Sequence, residues 1–268
     1  MKIGIFDSGL GGLVVAQSLI KTLPQYDYLY LGDTARVPYG NRPQEEVYTF
    51  TRQAVDYLFA NGCRLVIVAC NTASAEALRK IQQDYLPQFY PDRTVLGVLI
   101  PAAEAAVSLT HNHRIGVLAT TSTVASGAFI REIKKLAPGS QVFQVAAPLL
   151  VPLIEQSGSD WESPALSDYL APLLKADIDC LILGCTHYPI IKEKIRSVVG
   201  KDVELISQDE IMPTKLADYL ARHPEIATQL SHEKRRIFSV TLLDDKIMKQ
   251  TEQLFGQSIH FELADLRQ

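Results

Sequence analysis

Short apolar runs alternate with amphipathic segments along the first half of the chain, and this alternation predicts parallel strands connected by helices. The apolar runs cover 2–6, 28–31, 65–69 and 94–98. Apolar residues at helical spacing predict helices over 14–22, over 44–61 and beyond residue 70, where the stretch from Leu86-Pro87 to Tyr90-Pro91 is expected to end the last of them. Proline and glycine residues predict a loop over 35–42.

The same rhythm returns in the second half of the chain. Strands are predicted over 114–118, 141–146, 180–183, 203–206 and 236–240. Helices are predicted over 160–175, 192–199, 212–222 and 244–255, and an apolar segment interrupted by prolines covers 148–155. The strands around Gly4 and Gly116 lie 112 residues apart, and the strands that end at Cys70 and Cys185 lie 115 residues apart. Two similar offsets, in the same order, predict an internal duplication.

The pattern therefore predicts an α/β fold with two pseudo-symmetric lobes, each a parallel sheet flanked by helices, and an active site in the cleft between them. We expect the first lobe to comprise residues 1–97 together with a returning tail, 209–268, and the second lobe to comprise residues 98–208. A chain of 268 residues is long enough for one large domain or two ordinary ones.

Composition and charge exclude several classes of protein. The formal net charge is −4, and the longest basic run is Lys234-Arg235-Arg236, which disfavours a nucleic-acid partner. Asp7 comes too early for a secretory signal, and no apolar stretch reaches the roughly 18 residues that a membrane span needs. We therefore expect a cytoplasmic protein without a membrane partner, whose four cysteines are thiols rather than disulfides.

Two of the predicted strands end in a cysteine followed by small polar residues. Cys70 precedes Asn71-Thr72, and Cys185 precedes Thr186-His187. Each cysteine should lie where a parallel strand ends and a helix begins, which is the edge at which α/β sheets bind ligands. A helix start or a neighbouring base activates a thiol, but the spacing alone equally fits small buried hydrophobic residues. Cys63 and Cys180 do not close their strands and favour the buried interpretation.

Other chemistries fit these residues less well. A metal site formed by Cys180, Cys185 and His187 is disfavoured, because residues five apart on a strand point to opposite faces. A papain-type nucleophile needs one cysteine and one histidine, and would leave the second cysteine without a role. The turn Gly9-Leu10-Gly11-Gly12 has neither the dinucleotide spacing nor a P-loop lysine, and predicts a close approach of backbone amides to a small anion or carboxylate.

Two thiols that face one another suit the inversion of a stereocentre. One group removes a proton from one face of a carbon, and the other returns a proton to the opposite face. A pseudo-two-fold axis between duplicated lobes would bring the two cysteine-bearing strand edges together. Asp7, at the end of the first strand, and His187, two residues after Cys185, are then placed to assist the thiols.

Four motifs carry a resemblance to a known family. They are Phe6-Asp7-Ser8-Gly9, then Gly32-Asp33-Thr34 with Pro38-Tyr39-Gly40, then Ala69-Cys70-Asn71-Thr72-Ala73, and finally Gly184-Cys185-Thr186-His187-Tyr188-Pro189. In this order they resemble the glutamate racemases of the aspartate/glutamate racemase family, over most of the first 210 residues. In aspartate racemases the second cysteine motif is typically followed by Thr-Glu, so Thr186-His187 favours glutamate. The alternatives are an aspartate racemase and an inactive carboxylate-binding regulator of the same fold.

The resemblance implies a cofactor-independent, metal-free enzyme that interconverts L- and D-glutamate and supplies D-glutamate for peptidoglycan. It implies that Cys70 and Cys185 are the proton donors and acceptors, assisted by Asp7 and His187. The substrate-binding residues that it implies are Asp7, Ser8, Tyr39, Gly40, Asn71, Thr72, Thr120, Thr123, Thr186 and His187, with a further carboxylate at Glu155. The segment Ser207–Pro213 departs from the family pattern, as do Val14 and Ala119. The oligomeric state stays open, with a homodimer among the alternatives.

Overall fold

The computed structural model describes residues 1–157, 164–256 and 258–266. Its strands are β1 (Lys2–Asp7), β2 (Tyr28–Gly32), β3 (Cys63–Val68), β4 (Thr94–Gly97), β5 (Arg114–Ala119), β6 (Gln141–Ala146), β7 (Cys180–Gly184), β8 (Glu204–Ile206), β9 (Arg236–Val240) and β10 (Glu262–Leu263). Its α-helices are α1 (Leu13–Thr22), α2 (Gln44–Ala60), α3 (Asn71–Glu76), α4 (Leu78–Lys80), α5 (Leu86–Phe89), α6 (Leu99–Leu109), α7 (Thr121–Ala125), α8 (Ala128–Leu136), α9 (Leu150–Ser157), α10 (Pro164–Lys175), α11 (Lys192–Val199), α12 (Gln208–Arg222), α13 (Pro224–Ala227) and α14 (Asp245–Phe255). None of the helices in these ranges is long and apolar enough to cross a membrane.

The strands form two parallel sheets. One has the order β10-β9-β2-β1-β3-β4 and the other the order β6-β5-β7-β8. The segment β2-β1-β3-β4 of the first sheet and the whole second sheet, β6-β5-β7-β8, have the same order relative to the chain. This shared order supports an internal duplication. The α/β fold with two parallel-sheet lobes is confirmed. The tail does return, because β9 pairs with β2 and α12 packs on α1; the lobe boundaries stay a prediction.

Alternating side chains of the buried strands face opposite layers of the core. In β7, Leu181 and Leu183 pack with Cys185 on one side of the sheet, whereas Cys180 and Ile182 pack on the other side. Burial raises the pKa of Cys180, and likewise that of Cys63, to about 12, as expected for thiols that serve as small core residues. The separation of Cys180 from Cys185 removes the metal site considered above. Among the described residues, no group of three or more histidine, cysteine or acidic side chains is placed to hold a metal.

The helical segment after Cys70 ends at Phe89, within the stretch 86–91 that is predicted to break it. Leu86-Pro87, at the start of that stretch, does not end the segment, because a π-helical turn over Ile81–Tyr85 leads directly into α5. Pro87 lies in the first turn of α5, where a missing backbone N–H and a fixed φ angle are tolerated. The wider π turn accommodates the proline without breaking the chain of helical turns.

Other elements also differ from the predicted ones. The alanine-rich helix α6, with Pro101 in its first turn, was not predicted, and neither were α7, α8, α13 and β10. The apolar segment 148–155 contains a helix, α9. Helix α12 begins at Gln208 rather than at Met212, with Pro213 inside it. The predicted helix over 160–175 is described from Pro164 onward, and its first four residues lie outside the described ranges.

Candidate active site

The carboxyl ends of the central strands of both sheets border one cavity of about 270 Å³. This volume suits a small molecule. Eleven of the residues predicted for the site line the cavity, and they are Ser8, Tyr39, Gly40, Cys70, Asn71, Thr72, Thr120, Glu155, Cys185, Thr186 and His187. Asp7 and Thr123 do not line it, because both are fully buried behind the wall.

Cys70 lies at the cavity wall as the N-cap of α3. Its Sγ accepts a hydrogen bond from the backbone N–H of Ala73, and its thiol donates to Ser8 Oγ, both at 3.4 Å. Burial raises the pKa of Cys70 to about 12, and the negative charges of Asp7 and Cys185 add to this effect, which outweighs the two hydrogen bonds. Cys70 is therefore a protonated thiol at neutral pH, able to donate a proton.

Cys185 lies in the equivalent position after β7, but its local structure differs. No helix begins there: Thr186 and His187 form a turn, followed by a 3₁₀ turn over Tyr188–Ile191, and α11 begins only at Lys192. The expectation that both cysteines precede a helix start is therefore wrong for Cys185. Its neighbouring charge comes from a side chain instead, because His187 Nδ1 lies 3.9 Å from Cys185 Sγ.

His187 bridges the cysteine and a carboxylate. Its Nε2 lies 3.0 Å from Glu155 Oε1, while its Nδ1 faces Cys185. Burial alone would lower the pKa of His187, but the hydrogen bonds and negative charges of Cys185 and Glu155 outweigh it and raise the pKa to about 10. His187 is therefore an imidazolium at neutral pH, and its positive charge lies beside Cys185 Sγ. The Cys70 thiol and the Cys185–His187 pair thus face the same cavity.

Glu155→Gln should move the alkaline limb of the pH profile of kcat/KM to lower pH. The limb is expected near pH 10 in the unaltered enzyme, where His187 loses its proton. Removing the carboxylate removes a hydrogen bond and a negative charge that raise the pKa of His187, so the pKa falls. The measurement is kcat/KM for glutamate from pH 7 to 11. An unchanged limb would contradict the role of Glu155 in holding the proton on His187.

The buried Asp7 carboxylate links the glycine turn after β1 to Thr186, next to Cys185. Its Oδ2 accepts a hydrogen bond from the backbone N–H of Gly9 at 3.0 Å, and its Oδ1 accepts one from Thr186 Oγ1 at 3.2 Å. Burial raises the pKa of Asp7, opposed first by the charge of His187 and then by these hydrogen bonds and one from the Gly12 backbone. The glycine turn thus brings its amides to a carboxylate, and that carboxylate is the side chain of Asp7.

Gly11 is required for the close approach of the two lobes. A Cβ atom at this position would lie 2.6 Å from both His187 Nδ1 and Thr186 Oγ1. We expect Gly11→Ala to displace His187 and to reduce kcat by about 10²-fold, the usual cost of misplacing a catalytic group by about 1 Å. Gly139→Ala is the control, because a Cβ atom added there would meet no described residue within 4 Å. Equal racemisation rates for both variants would contradict the close approach.

A group of threonine hydroxyls joins the lobes on the other side of the cavity. Thr72 Oγ1 lies 3.0 Å from Thr120 Oγ1 and 3.3 Å from Thr123 Oγ1. Thr123 does not line the cavity, but its hydroxyl contacts those of Thr72 and Thr120, which do. The backbone N–H of Ser122 donates to the carbonyl of Gly40 at 2.8 Å, which fixes the 35–42 loop against the second lobe.

Tyr39 contributes to the cavity differently from a hydroxyl ligand. Its ring is buried and lines the cavity, but its hydroxyl donates to Asp33. Asp33 also accepts hydrogen bonds from Arg36 Nε at 2.6 Å and from Thr241 Oγ1 at 2.8 Å. The buried Asp33 carboxylate thereby holds the loop that carries Gly40 against the returning tail.

Sequence reasoning missed several residues at the cavity. Lys246 and Gln250 of α14 line it, together with Val151 and Gln156 of α9 and Asn41 of the loop. The amphipathic pattern of α14 indicated a helix, but nothing in it indicated which strand ends the helix would reach. Lys246 is exposed and supplies a positive charge at the cavity for which the motifs gave no signal.

The model of the Asp/Glu/Hydantoin racemase family matches residues 13–209. These residues include both cysteine motifs, His187, three strands of the six-stranded sheet and all four strands of the other sheet. The chain therefore belongs to the Asp/Glu/hydantoin racemase family.

Individual relatives are glutamate racemases. The glutamate racemase of Geobacter metallireducens is 42% identical over 221 residues, which cover 81% of this chain and 79% of the relative. The crystal structure of glutamate racemase isoform RacE1 from Bacillus anthracis superposes with a TM-score of 0.89 at 34% identity, covering 99% of this chain and 97% of that one. The structure of glutamate racemase from Francisella tularensis in complex with D-glutamate superposes with a TM-score of 0.87 at 31% identity, covering 99% and 98%.

Proposed function

We propose that this protein interconverts L- and D-glutamate by proton transfer between Cys70, Cys185 and the α-carbon of the substrate. The observation that carries the proposal is the pair of cysteines at equivalent strand ends, which border one cavity, with the charged His187 beside Cys185. A single cysteine nucleophile would need only one of them. Two acid–base groups at one cavity are what inversion of a stereocentre requires.

Proton transfer between the two cysteines and the substrate accounts for the whole reaction. The Cys185 thiolate removes the α-proton from one face of one enantiomer, and the Cys70 thiol gives its proton to the opposite face. This leaves a Cys185 thiol and a Cys70 thiolate, the arrangement from which the other enantiomer reacts in the opposite direction. Charge that develops on the substrate needs preorganised donors, and Ser8, Asn71 and Thr72 line the cavity for that role. His187 stabilises the anionic state of Cys185, and Asp7 opposes ionisation of Cys70.

Glutamate is the proposed substrate because the similar proteins are glutamate racemases, one of them in complex with D-glutamate. The second cysteine motif, Cys185-Thr186-His187, supports the same choice. Synthesis of D-glutamate for peptidoglycan, a cytoplasmic location and assembly as a homodimer extend this proposal. The four free cysteines suit a reducing compartment such as the cytoplasm. Light scattering on the purified protein tests whether it is a dimer.

The direct test follows the optical activity of L-glutamate, D-glutamate and L-aspartate incubated with the purified enzyme, in the presence of EDTA and without added cofactor. We expect both glutamate enantiomers to reach the same equal mixture, with kcat/KM for glutamate at least about 10²-fold above that for aspartate, since a shorter substrate leaves polar groups of the site unpaired. Preference for aspartate would make the protein an aspartate racemase. Binding of glutamate without turnover would make it a regulator.

A further inference from the structure

The first residue of α12 lies against a predicted substrate-binding residue. Gln208 Nε2 donates a hydrogen bond to Asn71 Oδ1 at 3.0 Å, and both side chains are at least 98% buried. Gln208 belongs to the segment Ser207–Pro213, for which neither the motifs nor the proposed mechanism has a role. Asn71 lines the cavity, whereas Gln208 does not.

In the structure the pairing leaves one polar group of Asn71 for a ligand. A carboxamide has an acceptor oxygen and a donor nitrogen, and Gln208 occupies the oxygen. Among the described residues, neither Asn71 Nδ2 nor Gln208 Oε1 has a hydrogen-bond partner, although both atoms are buried. A buried N–H without an acceptor is costly, and a ligand carboxylate supplies the acceptor that is missing. An oxygen turned towards the cavity would instead repel a carboxylate.

We propose that Gln208 is a positioning residue, which orients the Asn71 carboxamide so that its N–H groups bind a carboxylate of the substrate. The proposal rests on the proposed function, because it assumes a dicarboxylate in the cavity. The hydrogen bond also links the two lobes. Gln208 is separated only by Ser207 from β8 of the second sheet, whereas Asn71 follows β3 of the first. The orientation of Asn71, in the first lobe, is thus fixed by a residue that follows the last strand of the second lobe.

Because the Gln208 amide donates to the Asn71 oxygen, replacing that donor with an apolar group or an acceptor tests the proposal. Gln208→Met removes the donor at similar length. Gln208→Glu replaces it with an acceptor, at the first position of a helix where a carboxylate is favoured. The glutamate would accept hydrogen bonds from the Asn71 N–H groups and turn the Asn71 oxygen towards the substrate. Gln82→Met is the matched control, because Gln82 donates to the Val95 carbonyl and does not line the cavity.

We expect Gln208→Met to raise KM for both glutamate enantiomers about tenfold, with kcat within about twofold, as for the loss of one hydrogen bond to a charged group. Gln208→Glu should raise KM further, and Gln82→Met should leave it unchanged. In an Asn71→Ala background, neither change at Gln208 should alter KM by more than about twofold, because the residue acts through Asn71. Thermal unfolding shows which variants fold, and if Gln208→Met does not fold, Gln208→Glu in the two backgrounds decides.

Two results would overturn the proposal. One is a KM for Gln208→Met no different from that of Gln82→Met. The other is an effect of equal size with and without Asn71, which would indicate a purely structural role. Calorimetric titration of the folded variants with D-glutamate separates this failure from that of the proposed function. If the unaltered protein binds glutamate but does not racemise it, the affinity ranking of the same variants still tests Gln208, and the racemase proposal alone has failed.

Discussion

Cys70→Ser and Cys185→Ser are each expected to reduce kcat for racemisation on the order of 10³-fold, within the range that a general acid or base contributes. A serine hydroxyl ionises far less readily than a thiol, so neither variant can complete the two-sided transfer. The measurement is the rate of racemisation from each enantiomer, by circular dichroism. Cys63→Ala is the control, because Cys63 is a buried thiol that does not line the cavity and should leave kcat within about twofold.

The two serine variants should also differ from each other. Each retains one thiol, and that thiol faces one side of the α-carbon. Exchange of the α-proton with solvent should therefore persist with one enantiomer in Cys70→Ser and with the other in Cys185→Ser. Racemisation by either variant at the wild-type rate would contradict the use of two thiols.

Asp7→Asn is expected to reduce kcat by about 10²-fold, although Asp7 does not line the cavity. The carboxylate accepts hydrogen bonds from Gly9 and Thr186 and attracts the charge of His187, and an amide cannot accept all of them. The same change should lower the pKa of Cys70 below its present value of about 12, because the charge of Asp7 raises it. Activity and thiol ionisation are thus expected to move in opposite directions.

Alkylation of Cys70 by iodoacetamide, followed by mass spectrometry from pH 7 to 11, measures this second effect. Faster alkylation of Asp7→Asn at each pH is the expected outcome, with Thr51→Val as a control for a buried polar change outside the cavity. If Asp7→Asn lost activity while Cys70 reacted as slowly as before, Asp7 would act on position alone and not through its charge.

The sequence predicted nine of the ten described strands because most of them are buried apolar runs, and the parallel α/β order follows from their alternation with helices. The exception is β10, which consists of two exposed residues. The ends of helices were predicted less sharply. The helical segment after Cys70 ends at Phe89, inside the predicted break over 86–91, but Leu86-Pro87 does not end it, because the π turn before it places Pro87 in a first turn, where proline is tolerated. Helix α6 was missed because its alanine-rich sequence shows little contrast between its faces.

The site was predictable where it lies on strand ends and not where it depends on contacts between distant residues. Cys70, Thr120 and Cys185 follow β3, β5 and β7 directly, and the sheet order brings them to one edge. The hydrogen bond between Gln208 and Asn71 joins residues 137 apart, and no local pattern encodes it. The charge of His187 depends on Glu155, from a helix whose orientation is fixed only by packing.

The most direct test of the two-thiol account is the early time course of L-glutamate in D₂O, followed by proton NMR and chiral separation. The account predicts that the first D-glutamate formed carries deuterium at Cα, while the remaining L-glutamate keeps its proton. The reason is that one thiol removes the proton and the other, already exchanged with solvent, supplies the deuteron. D-glutamate that retains the substrate proton, or L-glutamate that gains deuterium as fast as product forms, would show a single base and contradict the account.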